Sequence, residues 1–116
     1  MNGQFRIDFN LLGSTGGAST FYIPAPFDLQ IKGVQAACSA DPGDGETLTF
    51  SENSNEIGVL TFGSSIAAGA TGTYAADSTY GNKTVDAGDV IKVVITQLTA
   101  AATFSGYIDV DPYCRS

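Results

Sequence analysis

The chain has 116 residues, is rich in Thr, Ser and Gly, and carries a net charge of −7 with only five basic residues. This length suits a single domain with one hydrophobic core. Scattered basic residues in an acidic chain argue against binding to a nucleic-acid backbone, which needs clustered Lys and Arg, and no segment is long and apolar enough to predict a membrane span.

Alternating apolar and polar residues predict β-strands along most of the chain. The first strand is predicted from three alternating apolar residues, Phe5, Ile7 and Phe9. A glycine-rich linker at residues 13–17 follows, and a short strand at residues 20–23 ends at Pro24. Because proline cannot donate to a central ladder, the corner at Pro24 and Pro26 is expected at a sheet edge or in a loop. Residues 1–18 therefore form either an N-terminal arm that pairs with a neighbouring subunit or a first strand plus linker, ahead of a β-sandwich domain at residues 19–116.

A phase slip in the alternation predicts a β-bulge in the next strand. Leu29 and Ile31 lie on one face of this strand. Beyond Gly33 the apolar residues, including Val34 and Cys38, take the opposite parity. A glycine at such a slip marks a bulge or a sharp bend, and we expect it to adopt a positive φ.

The rest of the chain continues this strand-and-turn pattern. Further strands are predicted at residues 47–51, 57–62, 85–98 and 103–111, with two short ones near residues 72–75 and 83–85. Many short strands with frequent turn signals predict an all-β fold, an antiparallel β-sandwich or jelly roll, rather than βαβ units. The predicted core consists of the apolar residues on the inward parity: Phe27, Leu29, Ile31, Leu48, Phe50, Val59, Ile91, Val93, Ile95, Phe104, Ile108 and Val110.

The residues that usually carry chemistry are missing. The chain has no His, and so it lacks the usual general base, the commonest zinc ligand and the Ser-His-Asp triad. No glycine-rich nucleotide-binding pattern lies between a strand and a helix. We therefore expect that the protein is not an enzyme and that it has no cofactor and no metal site.

Two clusters of acidic residues are candidate sites for metal binding or catalysis. Carboxylates at Asp41, Asp44 and Glu46 suit calcium, but their spacing matches no calcium loop and favours a surface turn. Asp109 and Asp111 share one face of the last predicted strand. Such a pair can serve as acid and base, yet solubilising charges at a strand end are the favoured interpretation.

Cysteine and aromatic residues define the remaining candidates. Cys38 and Cys114 either form a disulfide that ties down the C-terminal tail or remain free thiols. Four tyrosines form either a contact patch, since aromatic residues are enriched at interface centres, or half-buried positions at sheet edges. The predicted interaction residues are Phe5, Ile7, Phe9, Tyr74, Tyr80, Tyr107 and Tyr113.

Three phrases of the sequence carry a resemblance to a known family. They are "FYIPAPFDLQIKGVQAA" at residues 21–37, then "ETLTF", and then "VDAGDVIKVVITQ". Over residues 19–111 the chain resembles the small decoration, or cement, proteins of tailed bacteriophage heads. The resemblance implies a jelly-roll fold and a structural protein, often a homotrimer, that binds the major capsid protein on the outside of an assembled head.

This resemblance leads to the functional hypothesis. We expect a virion protein of the capsid surface, made in the host cytoplasm because the start of the sequence lacks the basic and apolar regions of a signal peptide. The alternative is a carbohydrate-binding β-sandwich module of a phage surface or tail structure.

Overall fold

A computed structural model describes residues 5–43 and 45–112 of the chain. Their regular secondary structure is entirely β-strand, and none of these residues form a helix with the length and apolarity that a membrane crossing requires. Within these residues the strands are, in chain order, β1 (Phe5–Gly13), β2 (Ser19–Pro24), β3 (Leu29–Cys38), β4 (Thr47–Glu52), β5 (Asn55–Thr61), β6 (Thr73–Ala76), β7 (Thr84–Val85), β8 (Val90–Ile95) and β9 (Ala102–Pro112). The all-β prediction is confirmed.

The strands form two antiparallel sheets. Sheet A has the order β1-β9-β3-β7, and sheet B has the order β2-β8-β4-β5-β6. Alternate side chains of β3, β4, β8 and β9 are buried, because successive residues of a strand point to opposite faces. The buried set forms one hydrophobic cluster between the sheets, and Leu29, Phe50 and Phe104 in it are fully shielded from water.

The predicted core residues are buried except Phe27 and Val59. Phe27 is half-buried at the margin of the core, where its ring centroid lies 5.8 Å from that of Phe5. Val59 faces outward because the β4–β5 ladder shifts register: Phe50 pairs with Gly58, whereas the next residue of β4 pairs with Glu56. The shift changes the parity of β5, and the side chains that enter the core from this strand are Ile57 and Leu60.

The N-terminal segment is a strand of the two-sheet body. β1 pairs with β9 along its whole length, from Phe5 opposite Val110 to Gly13 opposite Ala102. Leu11 is buried, and Phe9 packs against the core with its ring centroid 6.1 Å from that of Phe50, on the other sheet. Of the two alternatives for residues 1–18, the first strand plus linker describes the part of this segment that the structure covers.

Two glycines of sheet A have opposite surroundings. The register of β3 against β9 shifts between Ile31 and Gly33, which confirms the predicted bulge. Gly33 does not have the expected positive φ, and a Cβ added there meets no atom within 4 Å. Gly106 lies directly opposite Phe9 and Ala36 on the inner face. A Cβ on Gly106 would collide with the backbone carbonyl oxygen of residue 35 and lie 2.6 Å from the Cα of Ala36.

We predict that Gly106→Ala lowers the free energy of unfolding by about 1–3 kcal/mol, because the added methyl group must push two strands apart. Gly33→Ala is the matched control and should change this free energy by less than about 0.5 kcal/mol, because its methyl group enters open space. Urea denaturation of both variants measures the difference. Equal losses of stability would show that the close approach at Gly106 is wrong.

Candidate contact surfaces

The outer face of sheet B is broad and built mainly from threonine and valine. Cross-strand pairing places one row of small residues across the whole sheet, from Thr20 on β2 to Ala75 on β6. We call this surface the threonine–valine face; it consists of Thr20, Tyr22, Thr47, Thr49, Ser51, Glu56, Val59, Thr61, Thr73, Ala75, Val90, Lys92 and Val94.

The threonine–valine face carries little charge in a strongly acidic protein. Lys92 is its one cation, and among the described strand residues of this face the one acid is Glu56, at the margin beside the β4–β5 hairpin. Tyr22 is 66% exposed and Val90 is 38% exposed. A partner that covers this face therefore desolvates β-branched, aromatic and hydroxyl groups, which costs far less than desolvating carboxylates.

The outer face of sheet A is polar, and both acidic residues that β9 contributes to it lie beside cations. Arg6 Nε donates to Asp109 Oδ1 at 2.8 Å, and the guanidinium lies 4.0 Å from the ring centroid of Tyr107. The hydrogen bond to Asp109 raises the pKa of Arg6. Lys32 Nζ lies 3.9 Å from Asp111 Oδ2. The two carboxylates that share one face of β9 thus each have a cation beside them, which fits the surface-charge interpretation better than an acid/base pair.

The predicted tyrosine patch is divided between the sheets. Tyr107 lies on the outer face of sheet A, opposite Asp8. Tyr74 belongs to β6 of sheet B and packs against the core, and burial raises the pKa of its hydroxyl to about 12. Tyr80 is 40% exposed in the turn after β6. Tyr113 lies outside the described residues.

The other predicted interaction residues belong to β1. Phe5 is 48% exposed, whereas Ile7 and Phe9 are half-buried and packed against the core. These three side chains share the inner face of sheet A and lie along one edge of the molecule. They therefore complete the core, and part of their surface stays open at that edge.

The acidic turn before β4 is held by local hydrogen bonds. The Gly43 backbone N–H donates to Asp41 Oδ1 at 3.1 Å, and Thr96 Oγ1 donates to Glu46 Oε1 at 2.7 Å. Asp41 and Glu46 line an open cavity of about 450 Å³. Asp44 lies outside the described residues, and among the residues that are described no three acidic or sulfur ligands come together.

Cys38 is a buried thiol at the end of β3. Its Sγ lies 3.5 Å from the carbonyl oxygen of Ala70, and its backbone N–H donates to the same residue at 3.1 Å. Cys114 lies outside the described residues, so both alternatives for the two cysteines, a disulfide and free thiols, stay predictions.

A buried carboxylate lies at the end of β4. Glu52 is 4% exposed, and its Oε1 is 3.6 Å from Lys83 Nζ. Asn53 Nδ2 donates to Glu52 Oε2 at 3.2 Å. Burial raises the pKa of Glu52, the Asp89 carboxyl raises it further, and Lys83 lowers it by a smaller amount. This cluster joins β4 to the segments on either side of β7.

We predict that Glu52 makes stability fall with rising pH. A raised pKa in the folded state means that the folded protein binds the proton more tightly than the unfolded chain. The difference in unfolding free energy, wild type minus Glu52→Gln, should therefore decrease from the ordinary pKa of 4.5 up to the raised pKa. Denaturant titrations across this range measure it. Glu56→Gln is the control, because it removes one exposed carboxylate from the same hairpin. If the unfolding free energy of wild type minus that of Glu52→Gln rises with pH, the prediction is wrong.

Sequence reasoning missed two of these features. The predicted strand at residues 47–51 stops one residue short of Glu52, although Glu52 continues the inward parity of Leu48 and Phe50, which is the available signal. The threonine–valine face was missed because Tyr22 and Val90 are ordinary outward residues until the pairing of β2 with β8 brings them together.

Comparison with known proteins adds no assignment. No family model matches the chain, and neither a curated protein nor a solved structure matches it.

Proposed function

We propose that this protein is a structural virion protein that binds the outer surface of an assembled phage head and stabilises it. The observation that carries the proposal is the threonine–valine face, an extended and nearly uncharged surface on a protein with a net charge of −7. The phrases at residues 21–37 and in β8 that resemble decoration proteins are consistent with this role.

The strand order supports a jelly roll as the finer description of the fold. The pairs β1–β9, β2–β8, β3–β7 and β4–β5 are nested one inside the next along the chain. Successive pairs alternate between the two sheets. Within sheet A the β9–β3 ladder joins the first pair to the third, and within sheet B the β8–β4 ladder joins the second pair to the fourth. A long antiparallel hairpin that rolls up into a jelly roll would produce this arrangement, which supports that finer description. β6 is then an additional edge strand.

The threonine–valine face suits a capsid surface as its partner, because both surfaces are already folded. Strand residues lose little backbone entropy on binding, and β-branched side chains have few rotamers to lose. Tyr22 supplies an exposed aromatic ring of the kind enriched in interface cores. Each copy makes only modest contacts, but many copies bound across neighbouring capsid subunits would together stabilise the shell strongly.

We predict that Lys92→Glu weakens binding to isolated heads of the phage that encodes the chain by at least about tenfold. The substitution puts an unpaired carboxylate in the middle of the threonine–valine face, where a partner must desolvate it. Cosedimentation of the purified protein with heads measures the change in the fraction bound.

Lys32→Glu is the matched control, because it makes the same charge reversal on the outer face of sheet A. It should leave binding within about twofold of wild type, since surface charges there are already solvated. Wild-type protein that stays in the supernatant at every concentration contradicts the proposed function. Equal losses in the two variants would move the binding surface away from sheet B.

A further inference from the structure

Among the strands of residues 5–43 and 45–112, β1 is the longest that lies at a sheet edge. β1 has nine residues, whereas the other edge strands β2, β6 and β7 have six, four and two. In the described part of the chain the backbone of β1 pairs only with β9, and no turn or loop hydrogen bond reaches it. One row of backbone N–H and C=O groups along β1 is therefore available to another strand.

The features that usually protect a sheet edge are missing from this strand. β1 contains no proline and no lysine, and its ladder with β9 runs without a register shift. Its cation does not guard the edge, because the Arg6 side chain leans over β9 to reach Asp109 and Tyr107. Phe5 is 48% exposed and Leu12 is 61% exposed on the same strand. Short edges, proline, lysine and bulges are the devices that prevent strand pairing, so this edge is open to it.

We propose that β1 pairs antiparallel with β1 of a second copy of this chain, about a two-fold axis at Phe9. This register uses the whole of Phe5–Gly13, and it joins two four-stranded sheets into one continuous sheet. On the inner face Phe9 meets its own copy and Ile7 meets Leu11, so apolar side chains cover apolar side chains. The exposed remainders of Phe5, Ile7 and Phe9 are then buried by the second copy.

The charges on the outer face fit the same register. Asp8 lies opposite Asn10 of the second copy, and Arg6 lies opposite Leu12, so no like charges oppose one another. A shift of the axis by one residue to Asp8 would place that carboxylate against its own copy, which is destabilising. The self-complementary register and the matched length favour a second copy over a head-to-tail partner, because the next longest edge, β2, has six residues and ends in Pro24.

The proposal departs from the trimer that the resemblance implies, and it does not rest on capsid binding. The first test is the mass of the full-length protein in native mass spectrometry and in light scattering over a range of concentrations. A dimer that dissociates on dilution is the expected result. A monomer at all concentrations, or a trimer without dimers, overturns the proposal.

A charge series tests the register. Asn10→Asp keeps the oxygen that accepts the hydrogen bond from Ser105 Oγ, but it places two pairs of carboxylates opposite each other in the dimer. The dissociation constant should rise by roughly fivefold at low salt, and by less at high salt. Asn82→Asp is the matched control, because Asn82 is exposed beside β7 at the far edge of sheet A. It adds the same charge and should leave the dissociation constant unchanged.

The exchange variant Asp8→Asn combined with Asn10→Asp provides the decisive comparison. It has the net charge of the wild type and again sets a carboxylate opposite an amide, so dimerisation should return to within about twofold of wild type. If the exchange variant stays as weak as Asn10→Asp alone, or if Asn82→Asp weakens the dimer equally, the proposed pairing is wrong.

Discussion

The pairing of β9 with β1 on one side and β3 on the other is the constraint on which the rest of the structure depends. Residues directly opposite each other point to the same face of a sheet. The registers of β1 and β3 against β9 therefore determine which side chains of all three strands enter the core. Gly106 lies at its centre, where the backbone of β3 leaves no room for a Cβ. The bulge at Gly33 then restores the inward direction of Val34 after Ile31, so that both ends of β3 contribute to the same core.

The two outer faces follow from this arrangement, and they have different chemistry. On sheet A the carboxylates that project from β9 find cations on the neighbouring strands, so its charge is balanced locally. On sheet B the outward positions are hydroxyl and branched aliphatic groups, and the acidic residues lie mostly in the connecting segments. The negative charge is therefore densest in the connecting segments and sparse on the threonine–valine face, where an acidic partner meets the least repulsion.

Much of the fold was predictable because burial imposes a period of two on each strand. The inward parity of Leu29, Ile31 and Phe104 was clear from the sequence, and the phase slip at Gly33 correctly indicated a bulge. The second bulge, which turns Val59 outward, was not predicted because it is defined by the register of two strands and not by either strand alone. Local alternation carries no information on which strand pairs with which.

The same limit applies to the contact surfaces. Tyr74 and Tyr107, two of the tyrosines considered for a contact patch, lie on different sheets, because strand pairing decides which side chains are neighbours. Glu52 shows the opposite case, because the alternation that buries Leu48 and Phe50 extends to it, and its charge alone argues for the surface. Its burial is tolerated since Lys83 lies beside it, and that neighbour comes from a distant turn.

The nested order of the strands also governs how the chain acquires its structure. The contact between Arg6 and Asp109 spans 103 residues of chain, so β1 has no partner in sheet A until β9 has been synthesised. The chain must lose the conformational entropy of closing such long loops before the contacts between their ends can stabilise it, and this slows folding. On the ribosome, sheet A therefore stays incomplete until β9 has been synthesised, because β9 lies between β1 and β3.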